Sequence, residues 1–277
     1  MTTAVDLNFE VDGSGPPVFL LHGFPETHVC WDDVAERLAP THTVVRPDLR
    51  GYGESPLSAS DFSKRAMAAD VVALAGRLGY EQFAVVGHDR GGLVGQRLAL
   101  DHPDAVTHLA VLDIVPVLDL WESINADFAL AAWHLFFLAQ PPPLPERLLA
   151  GAIDDFVDHF LDGWTTVPGA ITPEAREAYH AAASRPEAIR SVCEDYRAGA
   201  TVDLEHDRAD RDAGRRIAAP VLVLWQEPGG APPPFDPLQI WSGWADSVEG
   251  CGLDCGHFLP EERPAEVAAA VEGLLKR

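Results

Sequence analysis

Lysine is almost missing from this chain. Lys64 and Lys276 are the only two in 277 residues, and 20 basic residues against 43 acidic ones give a formal charge of −23. Such a balance argues against nucleic acid or an anionic membrane as a partner. An anionic small-molecule substrate would need local arginines. Long apolar runs are missing too, since none reaches the roughly 18 residues of a membrane span. The segment Met1-Thr-Thr-Ala-Val-Asp6 has neither the basic nor the apolar region of a secretory leader, so a soluble cytoplasmic protein is expected. Cysteine is scarce at four. Cys30, Cys193, Cys251 and Cys255 lack the second pair or spaced histidines of a zinc site, so free thiols and no metal are expected.

Apolar residues make up 47% of the sequence, ample for one large α/β domain or a core domain with an insertion. Short apolar runs read as buried strands at Val18 to Leu21, Thr43 to Pro47, Phe83 onward and Val106 to Leu112. Helical spacing separates them at Trp31 to Leu38 and Ser63 to Leu78. Ala4 to Val11, ending in Asp-Gly-Ser-Gly, suggests an edge hairpin. From about residue 116 to 213 strand signals stop and aromatic helices take over: Leu118 to Gln140, Pro145 to Trp164, Pro173 to Ala183 and Pro186 to Ala198. Pro220 to Trp225 and Ser247 to Gly252 return to strands, with helices at Pro237 to Trp244 and Glu262 to Lys276. The expected architecture is α/β, a mainly parallel sheet flanked by helices. Residues 1–115 and 214–277 form the core, and 116–213 an inserted helical cap.

Phe83-Ala-Val-Val-Gly-His-Asp-Arg-Gly-Gly92 organises the rest. A strand, a Gly-flanked turn and a helix are the context of a nucleophile elbow, in which the central side chain rises above the sheet edge. That residue here is Asp89. A carboxylate is ionised at neutral pH and suits displacement at an sp3 carbon bearing a leaving group, giving an enzyme ester that water must hydrolyse. The bland alternative is a helix-capping aspartate. Chain order supports the catalytic reading: a nucleophile, an acid after a later strand and a histidine after the last strand follow the α/β-hydrolase order. His257 stands where the base belongs. Asp113 and Glu227, each at a strand exit, compete to orient it. His22-Gly-Phe-Pro25 is the expected oxyanion loop, with the backbone N–H groups of Phe24 and Arg90 as donors. No cofactor is required.

Several segments resemble the haloacetate (fluoroacetate) dehalogenases: Gly87-His-Asp-Arg-Gly91, Leu98 to Pro103, Val111 to Ile114, Phe137-Leu-Ala-Gln140, Cys193 to Gly199 and Gly256 to Glu262. The likeness spans nearly the whole chain. It implies Asp89 as nucleophile, His257 as base and Asp113 as the acid, and Arg90 pairing with the substrate carboxylate. It further implies His134 and Tyr196 as halide ligands, with Trp164 lining the site. Two positions depart from the pattern. Leu93 stands where the family has a second carboxylate-binding arginine, and Leu135 where it has a halide-binding tryptophan. Trp133 lies one residue away, a step that turns a helix by about 100°, so it need not replace that ring. Both changes make the pocket more apolar; losing the arginine should weaken recognition of a carboxylate, and losing the tryptophan donor should weaken fluoride stabilisation most, since fluoride is the poorest leaving group.

The expectation is therefore a hydrolytic dehalogenase of small 2-haloacids, better on bromide and chloride than on fluoride, or one acting on a neutral relative. Epoxide hydrolysis with the same aspartate is the alternative, although those enzymes generally use two cap tyrosines and only Tyr179 and Tyr196 lie in the insertion. A non-catalytic binding protein on the same fold is the third reading. A homodimer through the helical insertion is a candidate assembly.

Overall fold

The computed structural model describes residues 4–57, 59–231 and 233–277. Seven strands form one sheet: β1 (Phe9–Gly13), β2 (Pro17–Leu21), β3 (Thr43–Pro47), β4 (Phe83–His88), β5 (Val106–Leu112), β6 (Val221–Gln226) and β7 (Val248–Leu253). Their spatial order is β1-β3-β2-β4-β5-β6-β7. All neighbours are parallel except β1, which runs antiparallel to β3. The central strands read as unbroken apolar runs because both faces are covered. Phe19, Leu21, Val85, Leu109 and Val111 point into one core, and Val18, Leu20, Val86, Ala110 and Leu112 into the other.

The edge hairpin does not form. Gly13 closes β1 at a positive φ of 74°, and the strand pairs with β3 across the chain rather than folding back on β2. The segment between β5 and β6 holds eight helices and, among its described residues, no strand. Leu118 to Gln140 is not one helix but three, Val117–Glu122, Ala126–Ala131 and Trp133–Leu138. Asn125 accepts a hydrogen bond from the Phe128 N–H at 3.0 Å and starts a new helix there. Likewise, Pro145 to Trp164 divides into Leu144–Leu149 and Ile153–Trp164 around Gly151. The stretch expected over Pro186 to Ala198 is Ala188–Ala200, and Val202–Asp212 follows as a further helix.

What matters for the site is the carboxyl edge of the parallel strands, where ligands of α/β sheets bind. His88 of β4 pairs with Leu112 of β5, and Leu112 with Leu224 of β6. The ladder continues one residue further, with the Asp89 N–H donating to the Leu112 carbonyl at 3.0 Å and the Asp113 N–H to that of Leu224 at 2.8 Å. Two carboxylates are thus set side by side on neighbouring strands.

Candidate active site

Asp89 sits at φ 46°, a strained conformation for a residue with a side chain. The turn is forced by close packing: a Cβ on Gly87 would strike the Gly91 carbonyl, and one on Gly91 would strike that of Leu21. Asp89 precedes the helix Arg90–Asp101, yet its carboxylate caps none of the helix N–H groups. Instead Oδ1 accepts from the Phe24 N–H at 3.0 Å. Burial would raise the pKa of this carboxyl, but the charges of His257, Arg90 and His88 outweigh it and hold the group below the usual carboxylate range. The oxyanion loop and the elbow therefore meet, and the aspartate is ionised.

Asp113, like Asp89, has a positive φ, 49°. Its Oδ2 lies 2.7 Å from His257 Nδ1 and accepts from the Gln226 amide at 2.7 Å, while Oδ1 accepts from the Gln226 N–H at 3.0 Å. A carboxylate only accepts, so Nδ1 carries a proton, and in the neutral ring Nε2 is the nitrogen with the free lone pair. That Nε2 is buried without a hydrogen-bond partner among the described residues. Glu227 is elsewhere engaged, accepting from the Trp225 indole at 2.7 Å. The two competing acids are thus separated by geometry: Asp113 touches the histidine. Glu262 anchors the histidine loop, its carboxylate accepting from the N–H groups of Gly256 at 2.9 Å and of Thr166 and Val167 at 2.8 Å. The His257 N–H in turn donates to the Trp164 carbonyl at 3.0 Å.

A cavity of about 490 Å³ opens above these groups, between the sheet edge and the helical segment. Asp89, Arg90, Asp113, His134, Tyr196 and His257 line it, as do Trp164, Leu93 and Leu135. The His134 ring stands 5.1 Å from that of Trp164 and 5.7 Å from that of Tyr196, and Trp164 stands 4.9 Å from His257. Burial pushes the His134 imidazole down to about 3, so it is neutral. Among the described residues, neither the Tyr196 hydroxyl nor the Trp164 indole N–H has a protein acceptor. Trp133 is not at the cavity; it stacks on Phe160 with ring centroids 5.9 Å apart.

Arg90 is held from behind. Its Nε donates to Asp195 Oδ2 at 2.9 Å, and its Nη2 to Oδ1 at 2.8 Å and to the Asp195 carbonyl at 3.0 Å. Lys64 pairs with the same carboxylate, and the Tyr52 hydroxyl donates to it at 2.7 Å. The guanidinium also lies 4.3 Å over the Tyr196 ring. Its forked edge is therefore occupied by an internal carboxylate, leaving no bidentate grip for a substrate carboxylate on that side.

The fold has counterparts among known proteins. A model of the α/β-hydrolase fold family matches residues 16–264. A fluoroacetate dehalogenase from Burkholderia sp is 42% identical over 98% of this chain and 90% of its own. The chain belongs to the haloacetate dehalogenase family of the α/β-hydrolase superfamily. It is a hydrolase. A soluble epoxide hydrolase from Corynebacterium sp. (strain C12) is 34% identical over 95% of this chain and 91% of its own. A Pseudomonas aeruginosa protein provisionally described as an epoxide hydrolase, solved as a point mutant with bound MFA, is 48% identical. It superposes with a TM-score of 0.95, over 100% of this chain and 94% of that one.

In this hydrolase one further pair lies behind the site, unforeseen from the sequence. The fully buried His88 has Nδ1 2.7 Å from Glu26 Oε2 and Nε2 2.8 Å from the His257 carbonyl. Two acceptors require two protons, so the ring is an imidazolium. Burial opposes that charge, but Glu26, Asp89 and Asp113 push the ring up to about 9. Position was the missed signal, since His88 adjoins the elbow aspartate and Glu26 closes the loop His22-Gly-Phe-Pro-Glu. A folded value near 9 against 6.5 means that this contribution to stability is full below pH 6.5 and is lost as pH rises through about 9. The gap is worth on the order of 3 kcal/mol. Denaturant unfolding at about pH 6 and about pH 10 should show a loss of that order that His88→Gln lacks. Equal losses in the two proteins would refute the charged histidine.

Proposed function

We propose that the protein hydrolyses carbon–halogen bonds through an ester on Asp89. The observation that carries this reading is the ionised, elbow-borne Asp89 beside a His257 whose Nε2 is free and whose Nδ1 is fixed by Asp113. Asp89 attacks the carbon that bears the halogen, forming a C–O bond as the halide departs with the bonding electrons. The N–H, O–H and indole donors of His134, Tyr196 and Trp164 receive the halide. His257 Nε2 then takes a proton from water as its oxygen attacks the Asp89 carboxyl carbon. The Phe24 N–H and that of Arg90 stabilise the resulting oxyanion. Collapse releases the alcohol, protonated by His257, and the carboxyl ionises again. Residues 116–213 act as a cap that supplies the halide side of the site, over a core of 1–115 and 214–277.

Carboxylate recognition is weak in this reading, with Leu93 in place of an arginine and the Arg90 fork on Asp195. Leu135 supplies no donor to a departing fluoride. Halide release should therefore follow bromoacetate and chloroacetate well ahead of fluoroacetate. Leu93→Arg combined with Leu135→Trp should raise the fluoride rate by at least about tenfold, one donor in such a site being worth a few kcal/mol. A folded double mutant with no gain would count against the roles given to these two positions.

Epoxide opening by the same aspartate is the second reading, favoured by the likeness to the Corynebacterium enzyme. The tyrosines weigh against it. Tyr179 is fully buried and donates to Glu261 at 2.9 Å, away from the cavity, so Tyr196 is the single tyrosine among the described lining residues. Diol formation from a simple epoxide, with no halide released from any of the three acids, would select that reading instead.

A further inference from the structure

The cavity is far larger than a two-carbon acid requires. About 490 Å³ falls within the roughly 300–1,000 Å³ of sites that hold drug-sized ligands. Its polarity is also one-sided. The charged and titratable lining groups gather at Asp89, Arg90, Asp113, His134, Tyr196 and His257, and the remaining wall is built from side chains such as Val117, Leu120, Phe128, Leu135, Pro234 and Phe235.

Apart from the Trp164 indole, which faces the catalytic end beside His257, the few other polar lining groups are already satisfied. The Trp121 indole donates to the Gly199 carbonyl at 3.0 Å, that of Trp225 to Glu227 at 2.7 Å, and the Ser123 hydroxyl to the Asp119 carbonyl at 2.7 Å. The Gln226 amide is held by Asp113. Among the described lining residues there is no lysine, and the single arginine, Arg90, lies at the polar end with its Nε–Nη2 edge on Asp195. A carboxylate placed along this apolar wall, away from the remaining Nη1 of Arg90, would lose water and gain no cation, whereas a hydrocarbon body would lose only water.

We propose that this apolar chamber binds the body of the substrate, and that the substrate is a neutral primary halide carrying an apolar chain or ring of several carbons. The proposal rests on the dehalogenase reading above and adds the substrate class to it. The halogen-bearing carbon meets Asp89, the halide leaves toward His134 and Tyr196, and the chain extends along Leu120 and Phe128. The net reaction converts the halide and water into the alcohol, halide ion and a proton.

Bromide release should be measured for bromoacetate, bromoethane, 1-bromobutane and 1-bromohexane, with Asp89→Ala as control. Each buried methylene raises kcat/KM about fourfold, so bromohexane should exceed bromobutane by about fifteenfold and also exceed bromoacetate. Ala132→Phe, which narrows the chamber wall, should shrink the ratio of hexyl to ethyl turnover. Hexan-1-ol binding, followed by calorimetry on the Asp89→Ala protein, tests the chamber without chemistry. Bromoacetate turnover with a flat series and no hexanol binding would overturn the chamber and leave the dehalogenase reading standing. Hexanol binding with no Asp89-dependent halide from any substrate would support the chamber and sink the dehalogenase reading. Absence of both would end both.

Discussion

Asp89→Ala is expected to lower halide release by more than about 10⁴-fold, the scale on which hydrolases lose turnover with their nucleophile. No neighbour can take over. Asp113, the adjacent carboxylate, is engaged by His257 Nδ1 and by both the backbone and side-chain N–H groups of Gln226. In the proposed mechanism it holds the His257 tautomer, and freeing it to attack would release the base. The variant should stay folded, since the elbow glycines and the sheet ladder set the turn and, among the described residues, the Phe24 N–H contact is the one hydrogen bond lost with the carboxylate. A capping aspartate would behave differently: its removal would cost about 1 kcal/mol of stability and leave turnover nearly intact. Steady-state halide release and unfolding of the same preparation distinguish the two.

The second large effect separates the two half-reactions. With His257→Gln, attack by Asp89 needs no base, so the first step proceeds and hydrolysis of the ester stalls. Turnover should fall about 10²–10⁴-fold, while one equivalent of halide per enzyme appears in a burst. The intact protein should gain the mass of the substrate's organic group, located on the peptide that contains Asp89. His257 Nε2 is the base proposed for this water, unpartnered among the described residues on a side chain that lines the cavity. A variant that is slow but shows neither burst nor adduct would mean that His257 acts before the ester forms.

The catalytic end was readable in the chain because its signals are local. Asp89 and Asp113 each follow an apolar strand run, since parallel strands buried on both faces leave long, plain runs, whereas the edge strand before His257 is mixed and only half-buried. Phe24 was readable from His22-Gly-Phe-Pro25 for the same reason. The helical segment was less legible: its apolar spacing passes unbroken through Ser123 to Asn125, where a side-chain cap divides the helix. The pairing of β1 with β3, across the whole of β2, leaves no mark in either strand alone. Least legible were the long-range charge pairs. Asp195 stands next to Tyr196 in a segment that drew notice for its tyrosine, yet only the fold shows that it grips both Arg90 and Lys64. That contact turns an expected carboxylate-binding arginine into an internally paired one.

The central claim is that Asp89 itself forms the bond to carbon. A single turnover in ¹⁸O-water, with enzyme in excess over bromoacetate or 1-bromobutane, tests it most directly. If Asp89 attacks, the product oxygen comes from the carboxylate and the water oxygen remains on the enzyme. Mass spectrometry should then find unlabelled alcohol product and ¹⁸O in the Asp89 peptide. Label in the product of that first turnover, with an unlabelled Asp89, would show that water attacks the substrate directly and would contradict the ester mechanism.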